Sequence, residues 1–128
     1  GNPVATVAGL TTLRLATDDV YAHIDRTSET LRAEVAAALT QAGVPHVIQN
    51  SGNLFSVFFT GQAVPDYSRA RTQQVARFSA FFHAMLDHGV YLPPSAFEAW
   101  FLSDSHDDAA LTRIVEALPA AAHAAAGA

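Results

Sequence analysis

The chain has 128 residues, of which 50% are hydrophobic and 15% charged, and its formal net charge is -5 at pH 7. This length suits one domain with a buried core, and the composition is typical of a folded chain rather than a disordered one. The seven arginines are scattered along an acidic sequence, which argues against a nucleic-acid surface, and no apolar run reaches the roughly 20 residues that span a bilayer. Because the chain contains neither cysteine nor lysine, disulfides, thiolate metal sites, thiol nucleophiles and lysine chemistry are excluded.

Two helices are predicted in the first third of the chain. Pro3 suits the first turn of a short apolar helix that extends to about Ala16. Thr17 is a candidate N-cap for a longer second helix, which a left-handed Gly43 ends before Pro45. Helical spacing predicts one buried face on this second helix: Val20, Ile24, Leu31, Val35, Leu39 and Ala42.

Three short strands are predicted further along. Residues 46–49 and 54–60 are expected to form an antiparallel hairpin through the turn residues between them, and residues 99–102 a third strand. Alternation places Phe55 and Phe59 on one face of this sheet and Phe58 on the other.

Two more helices are predicted around the third strand. One covers residues 68–88, and the last begins near Asp107. Pro119 is expected to break or kink the last helix, leaving an alanine-rich tail from Ala120 that frays. The predicted fold class is therefore α+β, with a three-stranded, mainly antiparallel sheet and helices packed on one side.

Glu98 is the leading candidate for chemistry, because it lies in an otherwise apolar, aromatic segment. A carboxylate buried alone costs several kcal/mol, so it is expected to be paired or to belong to a site. Two interpretations stay open: a solvated or arginine-paired carboxylate at a strand edge, or a carboxylate directed into a cleft near Ser95 and Tyr91. The six histidines give no ligand set with a defined third member, so no metal site is predicted.

Several segments resemble the C-terminal part of the glutamate-1-semialdehyde 2,1-aminomutase family, a group of class-III aminotransferase relatives. The similarity runs the length of the chain and is most specific between residues 81 and 99. The matching segments are GNP (1–3), QAGVPH (41–46), GNLFSVFFT (52–60), FFHAMLDHGVYLPPS (81–95) and FEA (97–99).

The resemblance implies the small C-terminal domain of a fold-type-I, pyridoxal-phosphate-dependent transferase. Such an enzyme is expected to be a cytoplasmic homodimer that isomerises glutamate-1-semialdehyde to 5-aminolevulinate in tetrapyrrole (porphyrin) biosynthesis. The Schiff-base lysine that holds the cofactor is absent from this chain. The chain is therefore expected to be an inactive fragment that binds no cofactor alone and needs the N-terminal large domain of the same protein.

The resemblance also assigns domains and site residues. Residues 1–17 are expected to be a connecting helix at the edge of the large domain, and residues 18–128 the small domain. Glu98 is carried over as a substrate-side active-site residue and Ser95 as a weaker one. Gly1, Asn2 and Pro3 are expected at the edge of the cofactor and dimer region.

Two rival functions stay open. One is the small domain of another class-III aminotransferase, although those enzymes tend to carry an arginine before a Pro-Pro pair in the last strand, and none lies near Glu98. The other is a self-standing interaction domain that dimerises through its first two helices.

Overall fold

The computed structural model describes residues 1–128 and contains five helices and one hairpin. In chain order the elements are α1 (Pro3–Leu15), α2 (Asp18–Gln41), β1 (Val47–Ser51), β2 (Leu54–Phe58), α3 (Tyr67–Ala70), α4 (Val75–Asp87) and α5 (Asp108–Ala126). None of these helices combines the length and the apolar character needed to cross a membrane.

The first two helices begin and end where the sequence predicts. Pro3 opens α1, and the Asn2 side chain accepts a hydrogen bond from the Val4 N–H at 2.9 Å. Thr17 precedes α2 in an extended conformation, although its hydroxyl makes no capping bond. Gly43 adopts a φ of 70° after α2, which is the left-handed conformation that glycine tolerates best.

The two strands form the predicted antiparallel hairpin. Val47 pairs with Phe58 and Ser51 with Leu54, and Gly52 takes a φ of 59° in the turn. Phe55 and Phe59 are both buried, as their predicted shared face requires, whereas Phe58 is half-buried on the opposite face.

The third predicted strand is wrong, because the sheet has only two strands. Trp100 alone pairs with Phe55 in an isolated antiparallel bridge, with its N–H donating to the Phe55 carbonyl at 2.7 Å. Turns on both sides prevent a longer ladder. The Glu98 N–H bonds back to the Ser95 carbonyl at 3.2 Å, and the His106 N–H bonds back to Ser103 at 3.0 Å.

The single helix predicted over residues 68–88 is also wrong, because a turn at residues 71–74 separates α3 from α4. In this turn the Gln74 N–H donates to the Phe59 carbonyl at 3.0 Å instead of continuing a helix. The neighbouring Gln73 side chain is buried and hydrogen-bonded to two other segments. These tertiary hydrogen bonds override the helical preference of the sequence.

The last helix continues through Pro119 to Ala126, which corrects the expected break and frayed tail. Pro119 is exposed, so its ring is accommodated on the solvent side. Beyond it Ala121, Ala122 and Ala125 are each 0% exposed, and they belong to the hydrophobic core. Their methyl side chains let α5 approach α4 and α2 closely, and this packing holds the tail.

The core lies between the inner face of the hairpin and helices α2, α4 and α5. Leu31, Val35 and Leu39 are buried along the predicted face of α2, whereas Val20, Ile24 and Ala42 of that face are only half-buried. The aromatic residues Phe55, Phe59, Phe78, Phe81 and Trp100 pack against one another in the same core.

Helix α1 stands apart from this core. It has no buried residue, and Val4 and Leu13 are 78% and 74% exposed.

Candidate functional site

The segment that carries Glu98 is a tight turn between α4 and the Trp100 bridge. The Ser95 hydroxyl accepts a hydrogen bond from the Phe97 N–H at 3.2 Å, and the Ser95 carbonyl accepts one from the Glu98 N–H at 3.2 Å. The structure therefore brings the two predicted site residues together in one turn. Within that turn, Ser95 stabilises the backbone.

The Glu98 side chain is exposed to solvent. Its aromatic neighbours in sequence do not bury it, because Phe97 and Phe101 are themselves 43% and 67% exposed. Of the two interpretations that the sequence left open, this exposure agrees with the solvated carboxylate: the segment is apolar in composition, but between residues 95 and 101 only Ala96 and Trp100 are buried. An exposed carboxylate stays hydrated and needs no ion pair.

The outer face of the hairpin forms a shallow cleft beside this turn. Two adjoining hollows of about 300 Å³ and 230 Å³, here called the outer cleft, share Gln49 and Phe58 in their walls. Ala99 lines the first hollow and Phe97 the second, so Glu98 lies between two residues that border the cleft. The backbone of Glu98 therefore passes between two partly aromatic hollows, although Glu98 itself lines neither.

The backbone of Glu98 is fixed to the hairpin. The Ser56 hydroxyl donates to the Glu98 carbonyl at 3.3 Å, and Trp100 forms the bridge to Phe55 two residues later. Tyr91, which was expected near Glu98, does not line the outer cleft; its ring packs 5.9 Å from Phe82.

Sequence reasoning missed Gln73, which links this turn to the rest of the fold. Its side chain is 6% exposed and makes two hydrogen bonds, to the Phe59 N–H at 3.2 Å and to the Ala96 carbonyl at 3.1 Å. The only signal in the sequence is the polar run 72–74, which interrupts the apolar periodicity of the predicted helix.

Gly1, Asn2 and Pro3 lie at the exposed start of α1. The Asn2 side chain binds the N–H groups of Val4 and Ala5, and this occupies donors that an anionic group would otherwise meet at a helix N-terminus. The structure shows no hydrogen bond between these residues and the Glu98 turn.

The chain does not by itself fit pyridoxal phosphate. It has no lysine amine for a covalent link, and two of the N–H groups at the start of α1, those of Val4 and Ala5, already donate to the Asn2 side chain. No group of three or more His, Cys, Asp or Glu side chains comes together in a way that could hold a metal ion.

Two solved transaminase structures contain a region with the fold of this chain. No protein-family model matches the chain. An omega-transaminase from Sphaerobacter thermophilus superposes with a TM-score of 0.86 over 98% of this chain, at 28% sequence identity. A second structure, a transaminase with PLP bound, superposes with a TM-score of 0.78 over 98% of the chain, at 22% identity, and shows the fold alone.

The chain spans 28% of the length of each of these two transaminases. The α+β fold therefore matches one part of a transaminase, the small domain.

Proposed function

We propose that this chain is the C-terminal small domain of a pyridoxal-phosphate-dependent enzyme of the transaminase type. The observation that carries the proposal is the superposition of 98% of the chain on 28% of a transaminase. Because the chain contains no lysine, the covalent link to the cofactor would come from the large domain in such an enzyme. In such an enzyme the bound cofactor acts as an electron sink.

Within this class we propose a glutamate-1-semialdehyde 2,1-aminomutase, which forms 5-aminolevulinate for tetrapyrrole synthesis. The support is the sequence resemblance, strongest in residues 81–95 and 97–99. The rival function is that of another class-III aminotransferase, and the two structural neighbours are themselves transaminases.

An assay of the complete enzyme separates these two functions. The aminomutase converts glutamate-1-semialdehyde to 5-aminolevulinate with no second amino acceptor, because the amino group only moves between adjacent carbons. A transaminase instead requires a separate amino donor and keto acceptor. Product formation that depends on an added keto acid would assign the enzyme to the transaminases.

Helix α1, with residues 1–17, is proposed to pack into the large domain. Its side chains are apolar on several sides, and Arg14 is its only charged residue. The hydroxyls of Thr6, Thr11 and Thr12 donate to carbonyls of the preceding turn, so their hydrogen-bond donors are already satisfied within the helix. A helix that is apolar around most of its circumference is typical of a buried position.

Glu98 is proposed as a substrate-side carboxylate at the junction of the two domains. An ionised carboxylate accepts hydrogen bonds and attracts an ammonium group, which the amine-bearing substrates of these enzymes provide. Its position in sequence between Phe97 and Ala99, which line the two hollows of the outer cleft, supports this role. Ser95 contributes by stabilising the turn.

Substituting Glu98→Gln in the complete enzyme tests this role. The amide keeps the size and exposure of the side chain but loses its charge, so we expect turnover to fall by about tenfold or more with the fold intact. Asp104→Asn is a matched control, because Asp104 is also exposed and lies in the next turn along the chain. Equal kinetics for the Glu98 and Asp104 variants would remove Glu98 from the site.

A self-standing interaction domain is a second candidate, favoured by the exposed apolar residues of α1. A dimer through the first two helices would depend mainly on α1, because the apolar face of α2 is already packed in the core. Sedimentation of the chain with and without Val7→Glu and Leu13→Glu distinguishes a specific dimer from concentration-dependent aggregation.

A further inference from the structure

Gln73 is the one buried amide side chain in the core region of the chain. It lies in the turn between α3 and α4 and is 6% exposed. Its Oε1 accepts a hydrogen bond from the Phe59 N–H at 3.2 Å, and its Nε2 donates to the Ala96 carbonyl at 3.1 Å. One planar group therefore joins the end of β2 to the turn that carries Glu98.

We infer that Gln73 is a positioning residue that sets the location of the Glu98 carboxylate at the outer cleft. The inference rests on the proposed function, because positioning of Glu98 by Gln73 affects catalysis only if Glu98 contacts the substrate. Ala96 lies inside the turn closed by the hydrogen bond from the Glu98 N–H to the Ser95 carbonyl. A displacement of Ala96 therefore moves Glu98 with it.

The Glu98 turn is held at its two ends by different parts of the fold. On the Trp100 side, the Ser56 hydroxyl and the Phe55 bridge attach it to β2. On the Ala96 side, Gln73 is the only side chain that hydrogen-bonds to the turn from outside it. Loss of Gln73 removes the only hydrogen bond that fixes the Ala96 side of the turn from outside, and leaves that side held only by the packing of Ala96 in the core.

The chemistry at this position requires a glutamine. The side chain must offer an acceptor to Phe59 and a donor to Ala96 at the same time, and a neutral amide does both. Glutamate has nearly the same shape but presents only acceptors when ionised, and it would face the Ala96 carbonyl with no proton to share. Leucine leaves both backbone groups without a partner in a buried place.

The kinetic test compares Gln73→Glu and Gln73→Leu in the complete enzyme. Gln74→Leu is the matched control, because Gln74 is exposed and its hydrogen bonds in the turn come from its backbone N–H and carbonyl. We expect both Gln73 variants to lower kcat by about tenfold to a hundredfold, the range for small misplacements of a reacting group, with KM changed less than kcat. The control is expected to keep the unsubstituted kcat.

A double-mutant cycle shows whether Gln73 acts through Glu98. If it does, Gln73→Glu is expected to reduce kcat by less than about twofold once Glu98→Gln is already present, since the two residues are coupled. An equal reduction in both backgrounds would overturn the inference, because Gln73 would then support the fold without directing Glu98.

Amide hydrogen exchange in the 128-residue chain separates failure of this inference from failure of the proposed function. Gln73→Glu is expected to speed exchange at the Glu98 amide by about tenfold or more, while amides in α2 are unchanged. Unchanged exchange at Glu98 would refute the positioning role, whatever the kinetics. If exchange speeds up but Glu98→Gln retains full activity, the substrate-side role of Glu98 is wrong instead.

A measurement on the unsubstituted chain covers the case in which a Gln73 variant does not fold. The Nε2 protons of Gln73 are expected to exchange slowly, because they are buried and donate to Ala96. Rapid exchange of these protons, comparable to those of the exposed Gln74, would contradict the inference without any substitution.

Discussion

Replacing Ala121 with leucine tests whether the last turns of α5 are part of the core. Ala121 is 0% exposed, and α5 packs against both α4 and α2. An isobutyl group in place of a methyl group has no free volume there, so it must push the helices apart or adopt a strained rotamer. Overpacking of this kind costs about 1–3 kcal/mol.

The matched control is Ala120→Leu, one residue earlier on the exposed side of the same helix. Leucine is nearly as good a helix former as alanine, so this control is expected to change stability by less than about 0.5 kcal/mol. The free energy of unfolding of the unsubstituted chain and of each variant is measured by urea titration, with circular dichroism as the signal. At roughly 4 °C per kcal/mol for a domain of this size, the Ala121 variant should also lose about 4–12 °C in Tm.

Equal stability of the two variants would refute the reasoning. It would mean that α5 beyond Pro119 does not pack against the core and that its last turns fray, as was expected from the sequence alone. Increased stability of Ala121→Leu would point to an unfilled space at the α4–α5 contact.

Two further predictions concern the core and the helix break. Phe81→Ala removes a fully buried ring that lies 5.7 Å from the ring of Phe59, and we expect the free energy of unfolding to fall by about 3–5 kcal/mol. For the control Leu86→Ala, at a half-exposed position on the same helix, we expect a loss of less than about 1 kcal/mol. Similar losses at both positions would contradict the observed burial. Pro119→Ala supplies an N–H that can bond to the Val115 carbonyl in an exposed helix interior, and a gain of about 1–3 kcal/mol is expected in the same urea titration. A loss of stability would show that the proline ring is favourable where it stands.

Local patterns in the sequence were enough to predict the elements whose structure depends on their own residues. Helical spacing predicts α2, and the turn residues predict the hairpin. Glycine and proline mark the end of α2 at Gly43 and Pro45. In each case the periodicity, the turn chemistry and the final packing agree.

The errors fall where distant residues decide the local structure. The run Trp100-Phe101-Leu102 has strand-forming residues, but flanking turns leave room for only one bridge. The break at residues 71–74 depends on hydrogen bonds to Phe59 and Ala96, which no pattern within the helix encodes. The buried alanines after Pro119 resemble low-complexity sequence until their partners on other helices are known.

The candidate site shows the same division. The sequence singled out Glu98 and Ser95, and the structure places them in one turn. The sequence left open whether Glu98 is solvated or directed into a cleft, because a run of aromatic residues gives no information about which of them turn inward. Gln73 was missed because its two partners are 14 and 23 residues away.

The exposure of α1 makes its helical state conditional. A helix of 13 residues is marginal by itself in water, and Gly9, with several β-branched residues, lowers its propensity further. Full burial of its large apolar side chains, Val4, Val7, Leu10, Leu13 and Leu15, would contribute on the order of 5–10 kcal/mol, comparable to the whole stability of a domain. Formation of α1 is therefore expected to be coupled to its packing against the large domain. In that case α1 would become a stable helix only once the two domains have assembled.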